Sequence, residues 1–384
     1  MTGSDSRIRP SEQQLRRIQQ FKDQGIVFRR ATPEDGPVLA DFHNTQFDTV
    51  RTREHWIWEY YTYAPEQSVF LLAEKDGRVL ATQGFIPIQM RVGEKDLLAA
   101  KGENALCLAP YRGTGLQQAL GNWGLSQGLD REFKINWSLS FINQLPGRFN
   151  FATTFFNIQV WSRPGNTRLE VTRRLGGNSS YWRSTPLWRR IGSTGKLVWN
   201  RLTDHRSRAV LQIKEVAGYT VEKNQVPYDD LMLLRGRMSD WNKNVVWIKY
   251  DETYLSWRIR GHPFLRYDEY QVRQEGVLRA YAFATEYEGE VCISDLLSEN
   301  GYATSLLLSR IIEDHATKVG RFRFLGNPMD GLSQDLFAQL SQFGFSPSMK
   351  WHITMKDRVG DMGLAFYDVR NWHVNGLWTE GFLY

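Results

Sequence analysis

The sequence predicts an α/β (α+β) protein made of two similar domains, each with a mixed, mostly antiparallel central sheet flanked by helices. Three observations support this class. Apolar runs of strand length alternate with helical patterns, Asp76-Gly77 separates two apolar runs as in a β-hairpin, and the first half of the chain is echoed in the second. The chain of 384 residues is also long for a single core.

The composition is typical of a globular protein, with 41% hydrophobic and 23% charged residues. No apolar run approaches the roughly 20 residues that span a bilayer, and the N-terminus lacks the apolar segment of a secretory signal. Cys107 and Cys292 offer neither a disulfide framework nor metal spacing, and the seven histidines show no paired pattern. We therefore expect a cytoplasmic protein without a metal.

The first elements have recognisable boundaries. Ser11 and Gln14 have the form of a helical capping box, and Gly25 is expected to end that helix. A strand from Ile26 leads to Thr32 and Pro33, which predict the start of the next helix. Further strands are expected at 68–74, 78–85, 87–92, 95–103 and 104–108.

The echo in the second half keeps order and spacing. The Trp56 helix and the hairpin at 72–81 correspond to the Trp257 helix and a hairpin at 272–280. Residues 336–345 predict a closing helix and strand. The expected organisation is therefore an N-terminal tip and helix (1–26), a first domain (27–175), a basic amphipathic connector (176–225) and a second domain (226–384).

The most informative stretch joins a strand to a helix through glycines. An apolar run ends at Pro110, Arg112-Gly113-Thr114-Gly115 forms a tight turn, and helical spacing begins at Leu116. A helix start presents free backbone N–H groups to an anion, and glycines allow close approach of the backbone. The stretch predicts a phosphate site, the alternative being an ordinary turn with a solvated arginine.

This turn resembles the acyl-CoA motif of the GNAT N-acyltransferase superfamily, Arg/Gln-x-x-Gly-x-Gly/Ala. Arg112 and Gly115 match, whereas Gln117 occupies a position that the family gives to Gly or Ala. The resemblance implies acetyl-CoA, or another acyl-CoA, as co-substrate. The implied contacts are Leu106, Cys107, Leu108, Arg112, Gly113, Thr114, Gly115, Leu116 and Asn143.

The resemblance also implies the chemistry. In the family, a backbone N–H of the strand before the turn polarises the thioester, and an acidic group often serves as base. Glu103 and Asn104 lie at that place, so Glu103 is the candidate base. The usual acid of the family is a tyrosine on the helix that follows the next strand. The helix predicted there, at 149–157, contains no tyrosine. Cys107 is interpreted as structural, because it has no histidine partner in the sequence pattern.

The two halves differ at the turn. Residues 298–303 contain one glycine and no arginine, and Glu299 would repel a pyrophosphate. We therefore expect CoA to bind the N-terminal domain only, leaving a degenerate GNAT-like second domain.

The narrower resemblance, through the Trp56–Pro65 segment and Asn371–Trp378, is to acyltransferases of bacterial polysaccharide and natural-product pathways. It implies an amine on a small or glycan-type acceptor. A tRNA-dependent aminoacyltransferase and a non-catalytic GNAT-like binding module remain as alternatives.

A basic stretch separates the two halves. Residues 163–208 contain eleven Arg or Lys against two acids. Residues 186–202 place Trp188 and Trp199 on one apolar face, which predicts either peripheral contact with the inner face of the membrane or a connector with buried tryptophans. Nucleic acid is not expected, because the aromatics are not interleaved with the basic residues.

Overall fold

The computed structural model describes residues 9–47, 50–128, 133–140, 154–176, 186–194, 213, 216–358, 360 and 362–378. Backbone contacts divide the chain into two compact units. Unit 1 comprises Met1–Phe156 and His352–Tyr367, and unit 2 comprises Asn157–Trp351 and Asp368–Tyr384. These units interleave along the chain, whereas the predicted boundaries at 175 and 226 follow chain order.

Unit 1 is a sheet with helices on it. Its helices are α1 Glu12–Asp23, α2 Gly36–Phe47, α3 Arg53–Tyr61 and α4 Leu116–Ser126. Its strands are β1 Val27–Arg30, β2 Val69–Lys75, β3 Arg78–Val92, β4 Lys95–Cys107 and β5 Ile135–Ser140, joined by the end of β13 Ser346–Asp357. Strands β1 to β4 are antiparallel neighbours, β4 and β5 are parallel, and β5 pairs antiparallel with His352–Asp357.

Local sequence signals account for several of these boundaries. Ser11 and Gln14 cap α1 reciprocally, and Gly25, at a φ of 81°, follows its end. Asp76 and Gly77 have φ values of 50° and 73°, which is the left-handed pair that a two-residue hairpin needs. The predicted capping box, helix end and hairpin are confirmed.

Two predicted breaks are absent. The separate strands expected at 78–85 and 87–92 form one strand, β3, in which Pro87 lies opposite Ala100 of β4. The strands expected at 95–103 and 104–108 likewise form one strand, β4. Residue patterns suggested interruptions there, but β4 continues through an irregularity at Asn104 instead of ending.

The core of unit 1 lies between α1, α4 and one face of the sheet. Ile18 and Phe21 of α1 pack with Leu116 and Leu120 of α4 and with Leu71 of β2, all of them buried. Because α1 contributes to this core, it is part of the unit that carries the glycine turn.

Unit 2 has the same succession of antiparallel and parallel pairs. Its strands are β6 Thr154–Pro164, β7 Tyr219–Lys223, β8 Val246–Ile248, β9 Tyr267–Gln274, β10 Val277–Tyr287, β11 Glu290–Ser298 and β12 Arg321–Gly326, with the start of β13. Its helices are α5 Thr167–Gly176, α6 at residues 187–194, α7 Tyr228–Trp241, α8 Glu252–Leu255, α9 Gly301–His315 and α10 Gln334–Gln342. Strands β7, β9, β10 and β11 are antiparallel neighbours, β11 and β12 are parallel, and β12 pairs antiparallel with β6.

The helix predicted at 149–157 is wrong where it can be checked. Residues 154–157 belong to β6, whereas 149–153 lie outside the described residues. The segment is rich in aromatic and β-branched residues, which favour strands, and β6 pairs with β12 from Gln159 onward. The closing helix and strand predicted near 336–345 are confirmed as α10 and β13.

Candidate functional site

Strand β4 carries a β-bulge before the glycine turn. One residue of β3, Gln83, faces two residues of β4, Asn104 and Ala105. Asn104 has a φ of 51°, a left-handed conformation that asparagine tolerates better than most residues. The hydroxyl of Thr82 donates to the Asn104 carbonyl at 2.8 Å. The extra residue of a bulge stays outside the ladder, so backbone polar groups become available here.

A cleft opens between β4 and β5 at the same level. The two strands are paired only where Ala99–Lys101 lies beside Ile135–Trp137. Beyond this point β4 pairs with β3, and β5 pairs with β13. The bulge therefore lies on the β4 side of a divergence between parallel strands.

The glycine turn leads into a helix to which its N-cap residue, Gly115, gives no side-chain cap. The Leu116 N–H donates to the Thr114 hydroxyl at 3.4 Å. Gly113 and Gly115 have φ values of 79° and 88°, and Gly115 is the N-cap residue of α4. A Cβ at Gly113 would meet no atom within 4 Å, so the turn is open on that side. The N–H groups that follow Leu116 in the first turn of α4 form the kind of terminus that binds anions.

Two arginines lie near this turn. Arg112, predicted to bind phosphate, donates from Nε to the Cys107 carbonyl at 3.0 Å and from Nη2 to Gln46 at 2.8 Å. Arg17 of α1 donates from Nη2 to the Thr114 carbonyl at 2.5 Å and lies beside Gly115. Sequence reasoning missed Arg17, because only the fold brings α1 to a turn 97 residues away.

The other predicted contacts have different surroundings. Leu116 is completely buried in the unit 1 core, and its N–H donates to the Thr114 hydroxyl, so it offers no exposed group to a ligand. Cys107 and Leu108 pack against the same core, and burial raises the pKa of the Cys107 thiol. A raised pKa disfavours the thiolate, in keeping with a structural cysteine. Asn143 lies outside the described residues.

Gln117, the departure from the motif, connects α4 to the sheet. Its Nε2 donates to the Thr82 carbonyl at 2.9 Å and contacts the Gln83 amide oxygen at 3.4 Å. Its own amide oxygen is buried without a hydrogen-bond partner among the described residues. This acceptor lies in the first turn of α4, and a buried polar atom without a partner calls for a hydrogen-bond donor.

Glu103 immediately precedes the bulge. Its carboxylate forms an ion pair with the Lys101 ammonium at 2.8 Å. The Lys101 side chain is only 3% exposed, whereas the Glu103 side chain is 23% exposed. The predicted base therefore remains accessible to water and small molecules, while Lys101 fixes its position.

Tyr60 of α3 reaches the bulge, and it was not predicted. The Asn104 side-chain Nδ2 donates to the Tyr60 hydroxyl oxygen at 2.8 Å. Gly84 lies against this hydroxyl and leaves no room for a Cβ. Burial, and then the nearby carboxylates of Glu59 and Glu103, raise the pKa of Tyr60 well above its ordinary value. Tyr60 therefore stays protonated at neutral pH and can donate a hydrogen bond.

A small pocket lies beside the bulge. Helices α2 and α3 supply one side of it and the sheet supplies the other. It is lined by Leu39, Ala40, Phe42, His43, Arg51, Trp56, Phe70, Thr82, Asn104 and Leu106. Its enclosed space is about that of one water molecule.

The pocket contains a neutral histidine and an arginine whose charge is balanced by an ion pair. Burial, with a contribution from the Arg51 charge, lowers the pKa of His43 to about 3, so the imidazole is neutral. Arg51 pairs with the buried carboxylate of Glu59 at 2.7 Å. The pocket is therefore apolar in character with little net charge.

Unit 2 has a bulge at the corresponding place but a different helix start. Ser294 is the extra residue of β11 opposite β10. Helix α9 is capped by Asn300, whose Oδ1 accepts from the Ala303 N–H at 2.9 Å. Glu299, beside this cap, pairs with Arg237 and with Arg279. The helix start is thus satisfied within the chain and carries an acid next to it.

The cleft of unit 2 is filled by the C-terminal segment of the chain. Strands β11 and β12 pair over Glu290–Ile293, and beyond this the turn Gly376–Trp378 contacts both strands. Asn327, at the end of β12, donates to the carbonyls of Val369 and Trp372 at 2.7 and 2.8 Å. Trp372 and Trp378 are completely buried. Asn327 therefore ties the end of β12 to the C-terminal segment.

A buried polar cluster fastens this segment. His373 contacts Asp330 at 2.7 Å through Nδ1 and lies 3.7 Å from Asp295 through Nε2. Asn375 donates to Asp295 at 2.6 Å. Burial opposes the charged imidazole, but the Asp330 and Asp295 carboxylates outweigh it and raise the pKa of His373 to about 9.

Among the residues described, no group of three or more His, Cys, Asp or Glu side chains is arranged to hold a metal ion. No helix in the described ranges is long and apolar enough to cross a membrane.

Several solved structures named as acyltransferases are similar to this chain. A GCN5-related N-acetyltransferase of Anabaena variabilis ATCC 29413 superposes with a TM-score of 0.56 at 12% identity, over 88% of this chain and 74% of that one. A probable N-acyltransferase of Enterococcus faecalis V583 superposes with a TM-score of 0.56 at 11% identity, over 85% of this chain and 72% of that one. Saccharomyces cerevisiae N-myristoyltransferase with bound myristoyl-CoA superposes with a TM-score of 0.56 at 11% identity, over 87% of this chain and 79% of that one.

The protein therefore has the GNAT fold, as the glycine-turn motif predicted. No protein-family model matches the sequence, and no curated protein matches it in sequence.

Proposed function

We propose that the protein is an acyl-CoA-dependent N-acyltransferase that transfers an acetyl group to an amine of a small or sugar-type acceptor, using unit 1. The carrying observation is the succession on one strand of unit 1: a bulge at Asn104, a turn with two left-handed glycines, and a helix to which its N-cap residue, Gly115, gives no side-chain cap. A strand cleft opens beside it.

Each part of this succession suits one part of an acyl-CoA. The pyrophosphate would meet the N–H groups that follow Gly113 and Gly115, with Arg17 and Arg112 as nearby cations. The pantetheine amides would run along the β4 edge of the cleft, where residues 106–108 follow the bulge. The buried acceptor of Gln117 offers one partner for such an amide.

The reaction requires little covalent help from the protein. The acceptor nitrogen attacks the thioester carbon, the C–S bond breaks, and the amide forms as the thiolate takes up a proton. Backbone N–H groups freed by the bulge would stabilise negative charge on the carbonyl oxygen. Glu103 would accept the amine proton, directly or through water.

The pocket beside the bulge favours a short acyl group. It includes Asn104 and Leu106 of β4, and its enclosed space is about that of a water molecule. A methyl group fits such a space, whereas a long chain needs displacement of Leu39 or Phe42. Acetyl-CoA is therefore the proposed donor, although one solved structure with this fold holds myristoyl-CoA.

Unit 2 is proposed as a degenerate GNAT-like domain that binds no CoA. Its helix start is capped by Asn300, and its strand cleft contains Trp372 and Trp378. In this tandem arrangement, unit 2 would contribute structure or acceptor recognition.

The test is thiol release from acetyl-CoA in the presence of a panel of amines, including amino sugars, with octanoyl-CoA as the alternative donor. We expect amine-dependent release that falls at least about a hundredfold in Glu103→Gln, the low end of what a general base contributes. Acetyl-CoA binding without amine-dependent release for any class would favour a binding module. Absence of CoA binding altogether would contradict the proposal.

A further inference from the structure

Helix α6 exposes three large apolar side chains together. Leu187, Trp188 and Ile191 are 61%, 68% and 57% exposed. Trp188 is thus not buried, contrary to the connector alternative drawn from the sequence, whereas Trp182 and Trp199 lie outside the described residues. Scattered exposed apolar residues are ordinary, but three such residues within one and a half turns form a patch.

The patch lies on one face of a helix that the protein holds at its C-terminal end. At 100° per residue, positions 187, 188 and 191 fall within one arc. Thr194 is buried, and Arg174 of α5 donates from Nη1 to the Ser193 carbonyl at 2.8 Å. The helix is therefore anchored at its C-terminal end while its apolar arc faces outward.

Positive charge surrounds the apolar arc. Arg189 is exposed, and its guanidinium lies 4.9 Å from the centre of the Trp188 ring. By sequence, residues 163–208 hold eleven basic residues against two acidic ones, while the rest of the chain holds 37 against 40. The excess positive charge of the protein is thus concentrated in the segment that contains α6.

We propose that α6 docks on an anionic membrane surface, with Leu187, Trp188 and Ile191 in the headgroup region and Arg189 against acidic lipid. An apolar arc that carries tryptophan and lies beside cations is the combination that binds bilayer interfaces. Leu187 and Ile191 have no ring to stack on a base, so the patch suits lipid better than RNA. This proposal is independent of acyl transfer.

The test is sedimentation of the full chain with two kinds of vesicle, phosphatidylcholine alone and phosphatidylcholine mixed with phosphatidylglycerol. We expect binding to the anionic vesicles at low salt, weakened by high salt. The variant Leu187→Ser/Trp188→Ser/Ile191→Ser should lose more than about tenfold in affinity, because the apolar arc is removed. Arg189→Glu should lose more than about fivefold.

A matched control removes other exposed apolar residues. Leu233→Ser/Trp241→Ser changes side chains of α7 that are 62% and 61% exposed, and it should bind vesicles like the wild type. No binding of wild type to anionic vesicles, or equal losses in the control and the α6 variant, would overturn the proposal. So would binding of a homopolymeric RNA that is lost in the α6 variant while vesicle binding is unaffected.

Discussion

Two glycines decide whether α4 can present its first N–H groups to an anion. Gly113 and Gly115 both have left-handed backbones, and the open side of the turn lies at Gly113. A side chain at either position would be strained, and at Gly115 it would also stand between the helix start and its ligand.

Gly115→Val should abolish CoA binding while most of the fold survives. The valine strains the turn by about 1–3 kcal/mol and blocks approach of the pyrophosphate. The measurement is the shift in melting temperature on adding CoA. Gly77→Val is the control, because its φ of 73° imposes similar strain in the β2–β3 hairpin. A CoA-induced shift in Gly115→Val equal to that of Gly77→Val would show that the turn holds no phosphate.

The two arginines near the turn should each contribute to CoA affinity. Arg112→Ala should weaken binding by roughly 1.5–3 kcal/mol if it makes a charge-assisted bond to phosphate. Arg17→Ala should weaken it by a comparable amount, since Arg17 already lies beside Gly115. Dissociation constants at two salt concentrations check both, and unchanged affinity in both variants would favour an ordinary turn.

Tyr60 is expected to position the bulge. Tyr60→Phe keeps the ring but leaves the Asn104 amide without its partner, which destabilises the folded bulge by about 1–3 kcal/mol. A displaced bulge should in turn slow acyl transfer by up to roughly 100-fold. The loss should fall on kcat, with the KM for acetyl-CoA little changed, because the phosphate turn is untouched. An effect confined to KM, or none, would contradict this role.

Residue patterns located the turn and its glycines, since both depend on neighbours in sequence, whereas Glu103 as base follows from the family resemblance and stays a prediction. Arg17 and Tyr60 were missed because their roles arise from packing across 97 and 44 residues. The sequences of α1 and α3 do not indicate which part of the sheet their side chains will contact.

At the scale of elements, α3 and the sheet meet through a glycine. Gly84 of β3 lies directly under the Tyr60 hydroxyl, so an added Cβ must displace the ring or the bulge. This contact links helix position to strand geometry at the candidate site.

Gly84→Ala should destabilise the protein by about 1–3 kcal/mol, the usual cost of overpacking. Gly236→Ala is the matched comparison: a Cβ there meets no atom within 4 Å, and it lies inside α7. That variant should gain about 0.5–1 kcal/mol through helix propensity. Denaturant unfolding measures both, and equal effects would show that Tyr60 moves freely.

The C-terminal segment should loosen as pH rises. The pKa of His373 is about 9, above its ordinary 6.5, so its stabilisation is complete below pH 6.5 and is lost as pH rises through 9. The loss from this group is about 3 kcal/mol in total. Melting temperatures from pH 7 to 10 should fall more steeply for wild type than for His373→Gln. Equal pH dependence of the melting temperature in wild type and His373→Gln would contradict a charged His373 between Asp330 and Asp295.

The elements whose boundaries depend on neighbouring residues were predicted correctly, and those that depend on distant partners were not. The capping box of α1 and the Asp76-Gly77 hairpin are local devices and are confirmed. At residues 154–157 strand β6 replaces the predicted helix, because pairing with β12 depends on residues far away in the sequence. The bulge at Asn104 was equally hidden, since a bulge is defined by the partner strand.

At the scale of the whole chain, two units with similar strand order differ in what occupies their clefts. Unit 1 has a helix to which its N-cap residue, Gly115, gives no side-chain cap, and unit 2 has Asn300 and a buried C-terminal segment. The sequence predicted the asymmetry from the missing glycines at 298–303. It did not predict that residues 369–378 fill the cleft, because nothing in that segment specifies its destination.

Calorimetric titration of the full chain with acetyl-CoA tests the central claim most directly. The proposal assigns the pyrophosphate to the helix start of unit 1, where Gly115 is the N-cap residue, and not to that of unit 2, which Asn300 caps, so the account predicts one site per chain. The Asn300→Gly variant, which removes the cap in unit 2 but leaves the cleft filled, should keep that stoichiometry. Two equivalent sites per chain, or no heat of binding at any concentration up to about 1 mM, a weak affinity for a specific ligand, would contradict the account.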